Sequence, residues 1–422
     1  MRKLFFSFVP FIFVLFSFGQ LEYERKITEQ LCSDSLFGRG YVNDGVGKAS
    51  RLLAKEFSEI GLQPLFGDEF YQPFSFKVNT FPGVVSLKIG CKKLTPGVDF
   101  LVNPNSGSVS GKLIIKELDY KTVSSNDLII QEIVLLGQAK HNTFVIDLTQ
   151  LKGKSQEEWK QQLLGLGNYA NILFLTDEKL GWAVGRTQLK KAVFCIDKKS
   201  YRTKRMSAEV EAFLERDYVS KNVGALIPSK KPNAKTIVFT AHYDHLGGMG
   251  QKTFFPGAND NASGTVMLLS LAKYFVANPS GFNLIFVAFA GEEAGLIGSF
   301  HFVEEKSIDL SKIKLVLNLD IMGSGEDGIT VVNGKVRTEL FELLQKVNSE
   351  GDFLPSIKAR GETTNSDHYP FHLKGVPAFF IYTRGLNQNY HDIYDTFENL
   401  TFSAYSAIIN LLTNYVKALE NF

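Results

Sequence analysis

Four stretches of strand length are apolar almost without interruption: 237–241, 284–290, 315–319 and 378–382. A strand with one face in water alternates polar and apolar residues. A strand buried on both faces does not, and such strands belong to mainly parallel sheets covered by helices. Helical patterns lie between the runs, at 264–276, 296–305 and 337–347, and another at 403–419 closes the chain. This alternation predicts an α/β fold, a three-layer sandwich with a mixed, mainly parallel central sheet. In sheets of that kind, ligands bind beyond the carboxyl ends of the strands.

Those ends carry the chain's most chemically loaded residues. They are His242-Tyr-Asp244-His245, Asn259-Asp260-Asn261, Glu292-Glu293, Asn318-Leu-Asp320 and Tyr390-His391. Zinc takes imidazole nitrogen and carboxylate oxygen, and a catalytic zinc leaves one position open for water. Two zincs that share a bridging carboxylate need about five protein ligands, and one more carboxylate must move the proton of the attacking water. The chain offers all six.

His242 directly follows a buried run, and Asp244 is spaced to orient its ring. Metal-bound histidines usually give their second ring nitrogen to a carboxylate or carbonyl. Asp260 sits among small residues just before a helical pattern, where it could serve as an N-cap. Asn261 and Ser263 could cap equally well, which leaves Asp260 free to bridge metals. Glu292 and Glu293 are adjacent, so their side chains can diverge, one to metal and one to water. Asp320 ends a buried run, where an acid without a partner is costly. His391 follows the run 378–382 and could fold back over the site.

With 422 residues, the chain exceeds the usual size of one hydrophobic core, so a main domain with an insertion is expected. Helical periodicity at 22–31 and 47–60 precedes a stretch, 71–145, that is rich in Val, Phe, Ile and Gly and reads as short strands. Beyond it, 159–166 reads as a helix and 171–175 and 192–196 as strands. Residues 1–19 read as a signal peptide: Arg2 and Lys3, then an apolar run 4–18, then small Gly19. Export to a periplasmic or extracellular location follows, with no stable membrane anchor after cleavage. Cys32, Cys91 and Cys195 have no zinc-finger spacing and allow one internal disulfide at most. A net charge of +2 makes no case for nucleic acid as a partner. The basic cluster from Arg186 to Arg205 reads as solvated surface.

Six stretches together closely resemble peptidase family M28, the zinc-dependent exopeptidases of clan MH that include bacterial aminopeptidases. They are Ala241-His-Tyr-Asp-His-Leu-Gly247, Gly257-Ala-Asn-Asp-Asn-Ala-Ser-Gly264, the run 288–299 around Glu292-Glu293, Asn318-Leu-Asp-Ile-Met-Gly323, Ser366-Asp-His-Tyr-Pro-Phe371 and Tyr390-His-Asp-Ile-Tyr-Asp-Thr396. They occur in the family's order and spacing, and a weaker match runs from Phe37 to Pro64. The resemblance implies the zinc exopeptidase fold, with a peptidase domain made of 20–75 and 222–422. Residues 76–221 stand where many members carry a protease-associated lid, and their strand-rich content is compatible with one. The implied activity is that of a dizinc aminopeptidase acting on the N-terminal residues of peptides. One zinc would be held by His242 and Asp320, the other by Glu293 and His391, with Asp260 bridging. Glu292 would be the general base, and later the acid that protonates the leaving amine; Asp244 would orient His242. A cis peptide between Asp260 and Asn261 is implied as well.

One position departs from the pattern. Some members place a tyrosine, as oxyanion donor, three residues before Ser366-Asp-His; here that residue is Thr363. Tyr369 and Tyr382 are weak substitutes. Asp367 and His368 are expected to shape the site wall, while His141, His245, His301 and His372 suggest no partners. Two other readings share the fold. Glutaminyl cyclases use one zinc, and they favour tryptophan where this chain has Tyr390. Non-catalytic ectodomains lose ligands, and here none is lost.

Overall fold

The computed structural model describes residues 15–119, 127–137, 139, 141–305 and 308–422. The four apolar runs form the strands Thr236–His242, Asn283–Phe289, Ile313–Leu319 and Ala378–Thr383. They lie side by side and parallel, with Thr236–His242 between Asn283–Phe289 and Ile313–Leu319, and Ala378–Thr383 beyond. Antiparallel strands flank them: Phe213–Ile227 on one side and Ile329–Val332 on the other. Tyr71–Thr80 pairs along Phe213–Ile227. Among the described residues the sheet has nine strands, mixed at its margins and parallel at its centre.

Successive residues of a strand point to opposite faces, and here both faces are covered. Phe239, Phe286, Leu317 and Phe379 pack into one apolar cluster with the helices Gly45–Ile60, Gly264–Ala277 and Tyr405–Leu419. Val238, Val287, Val316 and Ala378 pack into another, with Phe302 of Ile297–Glu304 and Phe371 of His368–Leu373. The result is three layers, helices over sheet over helices. The helix Gly45–Ile60 stops at Gly61, whose φ of +94° lets its N–H reach the carbonyls of Phe57 and Ser58 at no side-chain cost.

A second sheet, of eight strands among the described residues, is built between Val85 and Val210. Its centre is parallel: Val109–Asp119, Asn142–Asp147, Asn171–Thr176 and Val193–Asp197. One apolar cluster lies within it, around Ile133, Phe144 and Ile172, and another joins its other face to Leu246, Met249 and Phe255. The stretch 71–145 holds more than strands, because Asp127–Gly137 is a helix. Its β-branched content favours a strand locally, but Ile130, Ile133 and Leu136 fall on one helical face and pack beneath the sheet. All three cysteines are unpaired. Among the described residues no helix is long and apolar enough to cross a membrane. Of the segment read as an export signal, residues 1–14 lie outside those described; the helix Leu15–Cys32 begins within it.

Phe239 is fully buried at the centre of the main sheet, its ring 5.2 Å from Phe286 and nearly parallel to it, and 5.8 Å from Phe275. Truncation to alanine leaves a cavity between sheet and helix, so Phe239→Ala should cost about 3–5 kcal/mol. Urea unfolding followed by circular dichroism measures it; a loss well under 1 kcal/mol would contradict this packing.

Candidate metal centre

The parallel strands deliver the acids and imidazoles to one edge. His242 is the last residue of Thr236–His242, and Asp320 directly follows Ile313–Leu319. Glu292 and Glu293 come three and four residues after Asn283–Phe289. Asp260 lies in the turn Ala258–Ser263, which leads into the helix Gly264–Ala277, and its peptide bond to Asn261 is cis. His391 comes from the loop after Ala378–Thr383.

Asp260 is the centre of the arrangement. Its Oδ1 lies 3.3 Å from His242 Nε2, which is 3.4 Å from Asp320 Oδ1. Its Oδ2 lies 3.2 Å from His391 Nε2, which is 3.3 Å from Glu293 Oε2. One carboxylate thus serves two separate imidazole–carboxylate pairs. A tetrahedral zinc with ligands at about 2.0–2.2 Å keeps neighbouring donor atoms about 3.3 Å apart, and these spacings match. Asp320 Oδ1 is buried with no hydrogen-bond partner among the described residues. A buried acceptor in that state calls for a cation. On spacing and on donor chemistry, the residues fit zinc.

The electrostatics agree. Burial opposes a charge on His242, but the Glu292 and Asp320 carboxylates and the contact with Asp260 lift it well above the usual imidazole range. Burial opposes the charge on His391 too, yet Glu293 and Asp260 raise it to about 11. Against the upward push of burial, His242 and His391 hold Asp260 well below the usual carboxylate range, and His391 brings Glu293 down to about 2. Glu292 goes the other way. Burial, with Asp367, Glu293 and Asp320 adding like charge against the pull of His242, pushes it well above the carboxylate range. A carboxyl oxygen of Glu292 shares a 4.8 Å neighbourhood with His242 and Glu293, and no group among the described residues donates to it.

A second set of contacts fixes the first. The Ser366 hydroxyl donates to Asp320 Oδ2 at 2.8 Å and accepts from the Asn318 amide at 2.8 Å; Thr240 donates to Asn318 at 2.7 Å. Arg39, from the N-terminal segment, donates to the carbonyls of Tyr243, Leu31, Pro256 and Gly257 at 2.6–2.9 Å. It ties the His242 and Asp260 loops together. Asp395 accepts the N–H groups of Asn259 and Asp260 at 2.9 and 3.0 Å.

Asp244 acts differently from the expectation drawn from its spacing. His242 Nδ1 donates to the Asp244 main-chain carbonyl at 3.1 Å, while the nearer carboxyl oxygen stands 3.9 Å away. The carboxylate instead accepts the Tyr41 hydroxyl at 2.7 Å and the N–H groups of Glu292 and Glu293 at 3.2 and 3.4 Å. It shapes the loop that carries both glutamates.

His245 does have a partner. It is fully buried, and its Nδ1 donates to Glu293 Oε1 at 2.8 Å. Burial lowers its pKa despite that contact, which keeps the ring neutral. The clue in the sequence is a second imidazole three residues after His242. Gly257 makes room for it: a Cβ there would lie 2.3 Å from His245 Cδ2, and its φ is +58°. Elsewhere, His372 Nε2 lies 3.3 Å from Glu362, and His301 packs on Phe74. Asp367 and His368 are buried, and burial raises the Asp367 carboxyl to about 7. Thr363 Oγ1 is buried with no hydrogen-bond partner among the described residues, whereas the Tyr382 hydroxyl accepts from Arg360 at 3.3 Å.

Known proteins resemble the chain in the same region. Residues 222–416 match the profile of peptidase family M28. Aminopeptidase YwaD of Bacillus subtilis (strain 168) is 30% identical over 210 residues, covering 47% of this chain and 44% of that protein. A probable leucine aminopeptidase of Trichophyton verrucosum is 31% identical over 210 residues, 46% of this chain and 55% of that one. The chain thus spans about half the length of these curated relatives. In three dimensions it resembles a zinc aminopeptidase from Bacillus subtilis with a TM-score of 0.70 at 19% identity, over 95% of this chain and 94% of the other. A peptidase M28 precursor from Shewanella amazonensis gives 0.63 at 15%, over 94% and 96%. These likenesses bear on the fold.

Ligand nitrogens must be neutral to bind metal. The carboxylates shift both His242 and His391 toward the protonated form, and zinc must displace the protons they hold. Zinc uptake at pH 7 should release protons, one from the His391 imidazole, raised to about 11, with His242 shifted in the same direction and adding to the release, and affinity should rise with pH through the neutral range. Calorimetry in buffers of different ionisation enthalpy measures the release; a heat independent of buffer would contradict it.

Proposed function

We propose, on the premise that residues 222–416 belong to peptidase family M28, that this chain is a zinc-dependent aminopeptidase working with two zinc ions. The observation that carries the proposal is the division of Asp260 between two imidazole–carboxylate pairs. His242, Asp320 and Asp260 Oδ1 would hold one ion; His391, Glu293 and Asp260 Oδ2 would hold the other. Named relatives that are aminopeptidases support the substrate class, the N-terminal residue of a peptide. The charged and apolar start of the chain supports export.

When bound, zinc polarises a carbonyl oxygen and brings the pKa of water down toward 7. The chain's own residues do the rest. Among the described residues no group donates to the Glu292 carboxyl, and its raised affinity for protons suits a group that takes a proton from water and later delivers it to the leaving amine nitrogen. Asp244 fixes the Glu292 backbone, so the carboxyl starts from one position. His245 occupies Glu293 Oε1 and leaves Oε2 for metal. Ser366 does the same for Asp320, occupying Oδ2 and leaving Oδ1. Such partners behind a ligand typically account for about 10- to 100-fold in metal affinity.

A panel of aminoacyl chromogenic substrates tests the reading, using native protein, chelated protein, and chelated protein given zinc. Chelation should abolish hydrolysis and zinc restore it. In the same assay Glu292→Gln should keep native zinc content and lose about 100- to 10,000-fold in rate, the usual worth of a positioned general base. Glu293→Gln should lose zinc. Activity in protein shown metal-free by elemental analysis, or a near-native rate for Glu292→Gln, would count against the mechanism.

A further inference from the structure

The loop that carries His391 is held from outside the main sheet. Lys179 follows the strand Asn171–Thr176 of the second sheet. Its ammonium stands 2.5 Å from Asp392 Oδ2 and donates to the Gln388 carbonyl at 3.1 Å. Three residues on, the Trp182 N–H donates to the carbonyl of His391 itself at 2.8 Å. Trp182 is firmly seated: its indole N–H donates to the Val102 carbonyl at 2.8 Å, and its ring stacks on Phe255 at 4.8 Å.

The grip falls where the loop needs it. His391 has φ +55°, a conformation that a non-glycine residue holds only when its surroundings enforce it. The Asp392 side chain is 2% exposed, and a carboxylate so buried is costly once its cation is removed. Its other oxygen accepts the Tyr394 N–H at 2.8 Å, and farther along the loop Asp395 holds the Asp260 backbone. A shift of this loop therefore moves His391 first.

We propose that Lys179 is a positioning residue for the metal centre, and that the second sheet thereby supplies a working part of the site. Lys179 touches no reacting atom. Its pairing with Asp392 sets the 388–392 loop, and the loop sets His391 Nε2 against Asp260 and Glu293. This rests on the two-zinc reading and adds an asymmetry to it. Loss of the lysine charge should loosen the ion held by His391 and Glu293 and spare the ion held by His242 and Asp320.

Zinc isotherms of the full chain against a chromophoric chelator provide the test. Native protein should take two equivalents. Lys179→Met should weaken one of them by about 10- to 100-fold, the range for a lost partner behind a ligand, and leave the other unchanged. Lys179→Arg, which keeps the charge, should recover most of the loss. Lys152→Met, which removes an exposed lysine of the same unit paired with Asp177, should match the native isotherm. If near-UV circular dichroism shows Lys179→Met to be unfolded, Asp392→Asn breaks the same pair from the other side and is read in the same way. A native isotherm in the folded variant, or equal weakening of both equivalents, would overturn the role of Lys179. Native protein that takes up no zinc would overturn the two-zinc reading, and this inference with it.

Discussion

Negative charge gathered away from water is the constraint on which the rest of this structure turns. Asp260, Glu293 and Asp320 share one pocket with Glu292 beside them, and the side chains of Asp260, Glu293 and Asp320 are less than a tenth exposed. Buried carboxylates in such numbers are tolerated only against positive charge. His242 and His391 answer part of the demand, as their upward shifts record. Divalent cations on the same atoms would answer it more fully, because they add charge where a proton adds only one unit. The parallel sheet gathers the acids, and the acids in turn define what the pocket can bind.

Around that pocket, most of the support comes from parts of the chain remote in sequence. Arg39 stitches the His242 and Asp260 loops through four carbonyls. Tyr41 and Asp244 shape the glutamate loop. Thr240, Asn318 and Ser366 form a relay ending on Asp320. The recurring device is to occupy one oxygen of a carboxylate and leave the other for the pocket. Glu293 and Asp320 both show it, through His245 and Ser366. It restricts each acid to one donor atom, which suits a site with few ligands and an open position.

The division between what was legible in the sequence and what was not follows from range. Strands buried on both faces read directly from unbroken apolar runs, and the observed strands begin or end within two residues of those runs. The helix Gly45–Ile60 ends at Gly61, where its C-cap signal stands. The convergence of His242, Asp260, Glu293 and Asp320 was legible because each stands at or just after a strand or before a helix, and fold class then fixes where those ends meet; His391 lies in the loop eight residues beyond Ala378–Thr383. The supporting contacts were not. Ser366 and Asp320 are 46 positions apart, Arg39 and Tyr243 are 204 apart, and no local pattern joins them. Asp244 misled in a smaller way: spacing brought the right residue to His242 but did not reveal that its carbonyl, rather than its carboxylate, meets the ring. The helix Asp127–Gly137 was hidden by β-branched residues whose local preference gives way to packing against the second sheet.

The account stands on Asp260 holding one ion on each oxygen. Crystals grown with zinc, with diffraction recorded on both sides of the zinc absorption edge, address that directly. The account predicts two anomalous peaks about 3.5–4 Å apart, one between His242 and Asp320 and one between His391 and Glu293, each touched by a different oxygen of Asp260. A single peak, or two peaks that Asp260 does not join, would contradict it.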